Sequence, residues 1–202
     1  MIGELYEEAL RGRAPVEIEH ADGRRRPLPV HDWLAVRPGD GGLLRRCAGA
    51  TLDVGSGPGR LTVALARRGL PVLGIDLAPS AVALTVAAGG PALCRDVFGR
   101  VPGAGRWRTA LLADGNIGIG GDPAALLRRV LALLEVGPPG TASRVEPLRL
   151  RSDRSVGEWF PWAHVSADAV AALAAACAAT VTESWEDADR WFVTLRSRDE
   201  RP

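Results

Sequence analysis

The stretch LDVGSGPGR, residues 52–60, decides how the rest of the chain is read. An apolar run leads into it, and glycines stand at every second position, Gly55, Gly57 and Gly59. Glycine lets the backbone turn sharply behind a strand and lets a ligand approach the main chain closely. A helix expected from Arg60 aims its N-terminus at the same point. The dinucleotide fingerprint is G-x-G-x-x-G. Here the residue three after Gly57 is Arg60, so that fingerprint fails and the spacing is D-x-G-x-G-x-G.

Outward from this turn, strand and helix alternate. ATLDV is a short buried strand, and residues 60–68 form a helix stopped by Gly69. PVLGID is a second strand, followed by a helix that starts at Pro79 and ends at Gly89-Gly90. ALCRDV and RTALLAD read as third and fourth strands, and Asp122-Pro123 opens another helix. Such alternation predicts a parallel sheet with helices on both faces. TVTESWE and RWFVTLRS alternate across Asp187-Ala-Asp189 and predict a closing antiparallel hairpin. Before the turn, residues 4–11 read as a helix. VEIEHADGRRRPLPV reads as a hairpin about Asp22-Gly23, and residues 43–47 as a short helix. EPLRLR reads as a late strand, and Ser166 as the cap of a helix running to about residue 179.

The fold class expected is therefore α/β, a Rossmann-like doubly wound and mostly parallel sheet with a C-terminal antiparallel hairpin. Its fifth strand is short or anomalous. PAALLRRVLALLE runs straight into VGPPG, with too few residues for both a crossover helix and a strand with turns at each end, so either the helix is short and VLALLEV is the strand with no connecting turn, or the strand is missing. Two regions are expected, a lid-like helix and hairpin over residues 1–49 and a Rossmann-like domain over residues 50–202.

Composition narrows the classes. The chain has 202 residues, 47% of them apolar, enough for one domain with a proper core. Its net charge is +1, so no nucleic-acid field is implied. Every basic residue is Arg, the mark of a high-GC coding bias. Cys47, Cys94 and Cys177 lie far apart and match neither a disulfide framework nor a metal site. The apolar runs are too short to span a membrane, and the acidic, amphipathic N-terminus is no secretory signal. A reduced, cytoplasmic protein is the expectation.

LDVGSGPGR resembles the first motif of class I S-adenosylmethionine-dependent methyltransferases, here of a bacterial, small-molecule type. GIDLAPSAV resembles the second motif, CRDVF stands at the third, and LLADGNIGIGGD fills the fourth-strand position. The resemblance implies S-adenosylmethionine as cofactor. Gly55, Ser56, Gly57 and Gly59 would hold its methionine part, with Asp53 supporting the turn. Asp76 would accept the ribose hydroxyls beside Leu77, Asp96 with Val97 would meet the adenine, and Asp114 would lie near the methyl group.

Methyl transfer from a sulfonium needs positioning and exclusion of water more than a catalytic triad. His31, Asn116 and His164 are the candidates for a catalytic role. Histidine suits a general base near neutrality, and Asn116 stands where it could orient an amine or hydroxyl. Trp159, Phe160 and Trp162 cluster either as core cover or as the wall of a planar substrate site. The partner expected is a small molecule, not a nucleic acid or a membrane, with no metal and no set oligomeric state. Two alternatives stay open: a non-catalytic protein of the same fold, kept alive by the fifth-strand anomaly, and a nicotinamide-dependent oxidoreductase.

Overall fold

The computed structural model describes residues 3–130 and 132–198. In chain order it begins with helix α1 (Gly3–Leu10) and the hairpin β1 (Glu17–His20) and β2 (Arg25–Pro27). A 3-10 turn (Val30–Trp33) and helix α2 (Asp40–Arg46) lead to β3 (Thr51–Val54). Then come α3 (Arg60–Arg67), β4 (Val72–Asp76), α4 (Pro79–Ala87), β5 (Ala92–Cys94), β6 (Thr109–Leu112), α5 (Pro123–Arg129) and β7 (Ala132–Val136). The last part carries β8 (Arg144–Arg151), β9 (Phe160–His164), α6 (Val170–Ala176) and the hairpin β10 (Ala179–Asp187) and β11 (Arg190–Ser197).

The main sheet has the order β10-β11-β7-β6-β3-β4-β5. β3, β4, β5, β6 and β7 run parallel, and β11 returns antiparallel beside β7. Parallel strands with both faces covered must be apolar throughout. β3 is buried along its whole length, and separate apolar clusters lie on the two faces of the sheet.

At the fifth strand the structure follows the first of the two expected courses, a short helix and then the strand with no connecting turn, and corrects the expectation of a missing strand. β7 is present, buried, and in parallel register with β6 from Ala132 opposite Ala110 to Leu134 opposite Leu112. No glycine turn is needed because α5 has only seven residues and Val130 is already extended, with φ −142° and ψ 123°. A β-branched residue leaves the helix readily, so one continuous apolar string holds both elements.

Two smaller corrections concern the region after β7. Ser166 precedes a 3-10 turn without capping it through its side chain. Its Oγ instead accepts from Ser143 Oγ at 3.3 Å, and α6 ends at Ala176. The aromatic stretch EWFPWAH forms strand β9, which was not expected. It is the edge of a second, antiparallel sheet of order β2-β1-β8-β9. Pro161 inside the strand is tolerated because the position is at an edge. Ile18, Leu148 and Leu150 face inward from this sheet and pack with Leu5 of α1. Among the described residues no helix is long and apolar enough to cross a membrane.

Candidate functional site

In the main sheet the chain steps outward from β3 to β4 and β5, then returns to the other side of β3 with β6 and β7. Strand order reverses between β3 and β6, which opens a crevice at their carboxyl ends. The glycine turn sits there, and its three glycines serve different ends. Gly55, at φ 66°, lets Asn116 close in: an added Cβ would stand 2.7 Å from Asn116 Nδ2. Gly59, at φ 87°, lets α4 close in, since a Cβ would collide with Thr85. At Gly57, also at positive φ, the nearest atom to a Cβ would be Tyr6 Oη at 3.5 Å. Only there is the main chain open to a visitor.

Asp76, at the end of β4, faces this opening half-buried. Its Oδ2 accepts the Gly57 N–H and its Oδ1 the Ala78 N–H, both at 2.9 Å. Each oxygen keeps a lone pair for a further donor. Burial raises its pKa, against those backbone hydrogen bonds. Leu77, next in sequence, is 63% exposed, and Phe98, in the loop after β5, is 43% exposed. Phe98 lies against Gly120 of the loop after β6. Asp96 is exposed, and its Oδ1 accepts the Phe98 N–H at 2.9 Å. Val97 points away into the core.

Asp53 and Ser56 lie under the turn rather than in the opening. Asp53 is fully buried and accepts from Thr62 Oγ1 at 2.7 Å, and burial pushes its pKa up to about 6. Ser56 Oγ is buried with no hydrogen-bond partner. Asn116 is spent on structure: its Nδ2 donates to the carbonyls of Val54 and Gly55, each at 2.9 Å. The structure thus brings Asn116 to the glycine turn. His31 stands exposed on the 3-10 turn, and His164 lies on β9 over the ends of β6 and β7.

Asp114 follows β6 at φ 54° and is held by arginines. Arg60 Nη2 donates to its Oδ1 at 3.1 Å and Arg37 Nη2 to the same oxygen at 2.6 Å. Arg60 also grips Asp40, from Nε at 2.8 Å and from Nη2 at 3.0 Å. Arg190 joins Asp40 to Glu135, and Glu135 accepts the Asp114 N–H at 2.7 Å. Three carboxylates and three guanidiniums so neutralise one another across α2, α3, β6, β7 and β11. Burial pushes the Asp40 carboxyl up, but Arg60, the Arg37 N–H and Arg190 outweigh it and hold it below its usual value. Sequence reasoning missed this network. One signal was available: Arg60 opens a helix, where a cation opposes the macrodipole, so it requires carboxylates nearby.

Tyr6, part of the expected lid-like segment, was not among the expected site residues. Its ring meets Trp33 edge-on, with centroids 6.1 Å apart, and its hydroxyl overhangs Gly57. Burial, then the charges of Asp76, Asp114 and Glu7, raise its pKa far above the usual value. Glu7, one position on, accepts from the Ser80 N–H at 3.0 Å and from the Ser80 hydroxyl, tying α1 to the first turn of α4.

No protein-family model and no curated sequence relative matches the chain. Solved structures do. A SAM-dependent methyltransferase from Bacteroides fragilis, in complex with S-adenosyl-L-homocysteine, superposes with a TM-score of 0.77 at 18% identity, covering 97% of this chain and 93% of that one. CalS10, a SAM-bound amino pentose methyltransferase from Micromonospora echinaspora, is similar with a TM-score of 0.55 at 16% identity over 96% of this chain and 97% of its own. The 1,6-didemethyltoxoflavin-N1-methyltransferase of Burkholderia thailandensis matches with a TM-score of 0.57 at 19% identity, over 78% and 74%. These likenesses, at 16–19% identity, are likenesses of fold, and the chain has the fold of class I S-adenosylmethionine-dependent methyltransferases.

Proposed function

We propose that this protein is an S-adenosylmethionine-dependent methyltransferase acting on a small molecule. The observation that carries the reading is Asp76 at the reversal of strand order, its two oxygens bracing the turn at Gly57 while each keeps a free lone pair. The residues present fit such a cofactor. Asp76 would take the ribose hydroxyls, Leu77 and Phe98 would flank the adenine, and Asp96 would lie near its amino group. Gly57 gives the main chain the open approach a methionine moiety needs. Bound there, the cofactor supplies an electrophilic methyl group on a sulfonium.

The chain's own part is to bind, orient and keep water out. We assign the cover to the N-terminal lid-like segment, residues 1–49, standing over the Rossmann-like domain of residues 50–202. Tyr6 over Gly57 and the Glu7–Ser80 contact support that role. Asp53 acts from below by holding Thr62. Asp114, fixed by Arg37 and Arg60, forms the far wall. The complete parallel sheet removes the argument that had favoured a non-catalytic protein. A net charge of +1 supports a small acceptor over a nucleic acid. Free, separated cysteines and an arginine-only basic set support a reducing bacterial cytoplasm as its setting.

Titration calorimetry tests the reading. S-adenosylhomocysteine is expected to bind in the micromolar range, about −8 kcal/mol, with no competition from nicotinamide dinucleotides. Dinucleotide binding without S-adenosylhomocysteine binding would overturn it.

A further inference from the structure

The end of the main sheet opposite the crevice carries a row of arginines. β3, β4, β6 and β7 start at that end, and β11, running antiparallel, finishes there. Arg67 and Arg68 precede β4, Arg106 and Arg108 precede β6, Arg128 precedes β7, and Arg196 and Arg198 close β11. All are exposed. In the order β11-β7-β6-β3-β4, strands about 4.8 Å apart spread these cations over roughly 20 Å. At β3 the gap is spanned by the Arg108 stem, since a Cβ on Gly49 would stand 3.0 Å from Arg108 Cδ.

Among the described residues these guanidiniums have no carboxylate partner. The segments that lead into the parallel strands from this end, residues 47–50, 67–71, 87–91, 101–108 and 128–130, contain neither aspartate nor glutamate. Glu183 on β10 is already held by Arg46. Asp76, Asp96 and Asp114 all lie at the other end, where the strands finish. The net charge of +1 therefore conceals a separation of charge along the strands. Helix dipoles account for part of the row. Cations are favoured where α3 and α5 end, beside Arg67, Arg68 and Arg128. Arg106, Arg108, Arg196 and Arg198 lie on no helix, so the dipoles leave them unexplained.

The shape of this end selects among polyanions. The row is level: Thr51 stands opposite both Val72 and Thr109, and Ala110 opposite Ala132. Duplex DNA is read by an element that enters a groove, whereas α3 and α5 end here rather than project. Single strands are held by rings on which bases stack. The ring in these segments is Trp107, half-buried, with its Nε1 donating to the Pro102 carbonyl at 2.9 Å. A level row of unpaired cations matches a plane of anions. Such a dock needs neither a spanning helix nor a high overall charge. It needs only cations within a Debye length of the headgroups, about 8 Å at physiological salt.

We propose that this end of the sheet is a docking face for an anionic lipid bilayer surface, on which the protein sits with its crevice turned toward the water. The inference does not depend on what the crevice binds. The test uses the full chain and sedimentation with vesicles, either of phosphatidylcholine alone or of phosphatidylcholine mixed equally with phosphatidylglycerol. The protein should sediment with the mixed vesicles, stay in solution with the neutral ones, and be released as salt is raised. The double variant Arg106→Gln/Arg108→Gln should weaken vesicle binding by roughly tenfold or more, with an unchanged melting temperature. Arg196→Gln/Arg198→Gln should do the same. Arg24→Gln/Arg25→Gln removes as much charge from the exposed N-terminal hairpin and should leave binding as it was. No binding to the mixed vesicles, equal binding to the neutral ones, or equal losses in the hairpin variant would each overturn the proposal. Tighter binding of duplex DNA or of polyglutamate than of the mixed vesicles, compared per negative charge, would reassign the face to a nucleic acid or an acidic protein and overturn it as well.

Discussion

Two aspartates show how position rather than residue type sets a role. Asp76 touches the opening, so Asp76→Ala leaves ribose hydroxyls without a charged acceptor. A hydrogen bond to a charged group contributes about 1.5–3 kcal/mol, so S-adenosylhomocysteine affinity should fall by about tenfold or more in calorimetry, with circular dichroism showing a folded variant. An unchanged dissociation constant removes Asp76 from the site. Asp53, nine residues before its partner Thr62, is buried and has its pKa raised from 3.8 to about 6. A carboxyl that holds its proton more tightly when folded stabilises the fold at low pH. That contribution is complete below 3.8 and is lost as pH rises through about 6. Asp53→Asn keeps an acceptor for Thr62 and removes the titration. Its melting temperature relative to the parent should climb across this window and then level off, and a flat difference contradicts the burial argument. Both aspartates stood out in the sequence because each stands at or near the end of a strand, two residues from a glycine. The pairing of Arg60 with its carboxylate partners did not, since it depends on atoms far along the chain.

At the scale of elements, the closing hairpin does for the main sheet what a further crossover helix would otherwise do. β11 pairs with β7 from Trp191 opposite Val136 to Thr194 opposite Leu133 and covers its outer edge. Phe192 on β11 is completely buried and stacks on Trp185 of β10 with centroids 5.2 Å apart, and Arg46 caps that ring at 3.8 Å. Phe192→Ala should destabilise the protein by about 3–5 kcal/mol, read as a lower urea midpoint, and a loss under 1 kcal/mol on that about 3–5 kcal/mol scale argues against close packing there. The parallel strands and this hairpin were legible because each is an apolar run bounded by turn residues. β7 was legible only as a difficulty, because helix and strand share one unbroken apolar string and the break falls at Val130. β9 was illegible as a strand because Pro161 and the aromatic residues Phe160 and Trp162 mask its alternation.

For the whole molecule, the second sheet is a roof assembled from the N-terminal hairpin and two strands more than a hundred residues further on. α1 is pinned to α4 by Glu7, and its Tyr6 overhangs the glycine turn. Added S-adenosylhomocysteine should slow hydrogen exchange in residues 51–60 and also in residues 3–33, and Glu7→Gln should weaken the second effect more than the first. Protection confined to residues 51–60 contradicts the lid and takes His31 from among the site candidates. A hairpin at the N-terminus was legible from Asp22-Gly23, but its pairing with β8 was not, since local pattern carries no information on a partner so distant. That distance also imposes an order in time. Glu19 meets Arg149 across 130 residues of chain, and β1 leaves the ribosome long before β8 exists. At about 5–20 residues per second, the nascent hairpin waits on the order of ten seconds with Ile18 lacking its partner Leu150. Strands β3 to β7 are therefore made before β8 and β9, and a chain released early would present the crevice beneath α1 alone, with the larger part of its roof absent.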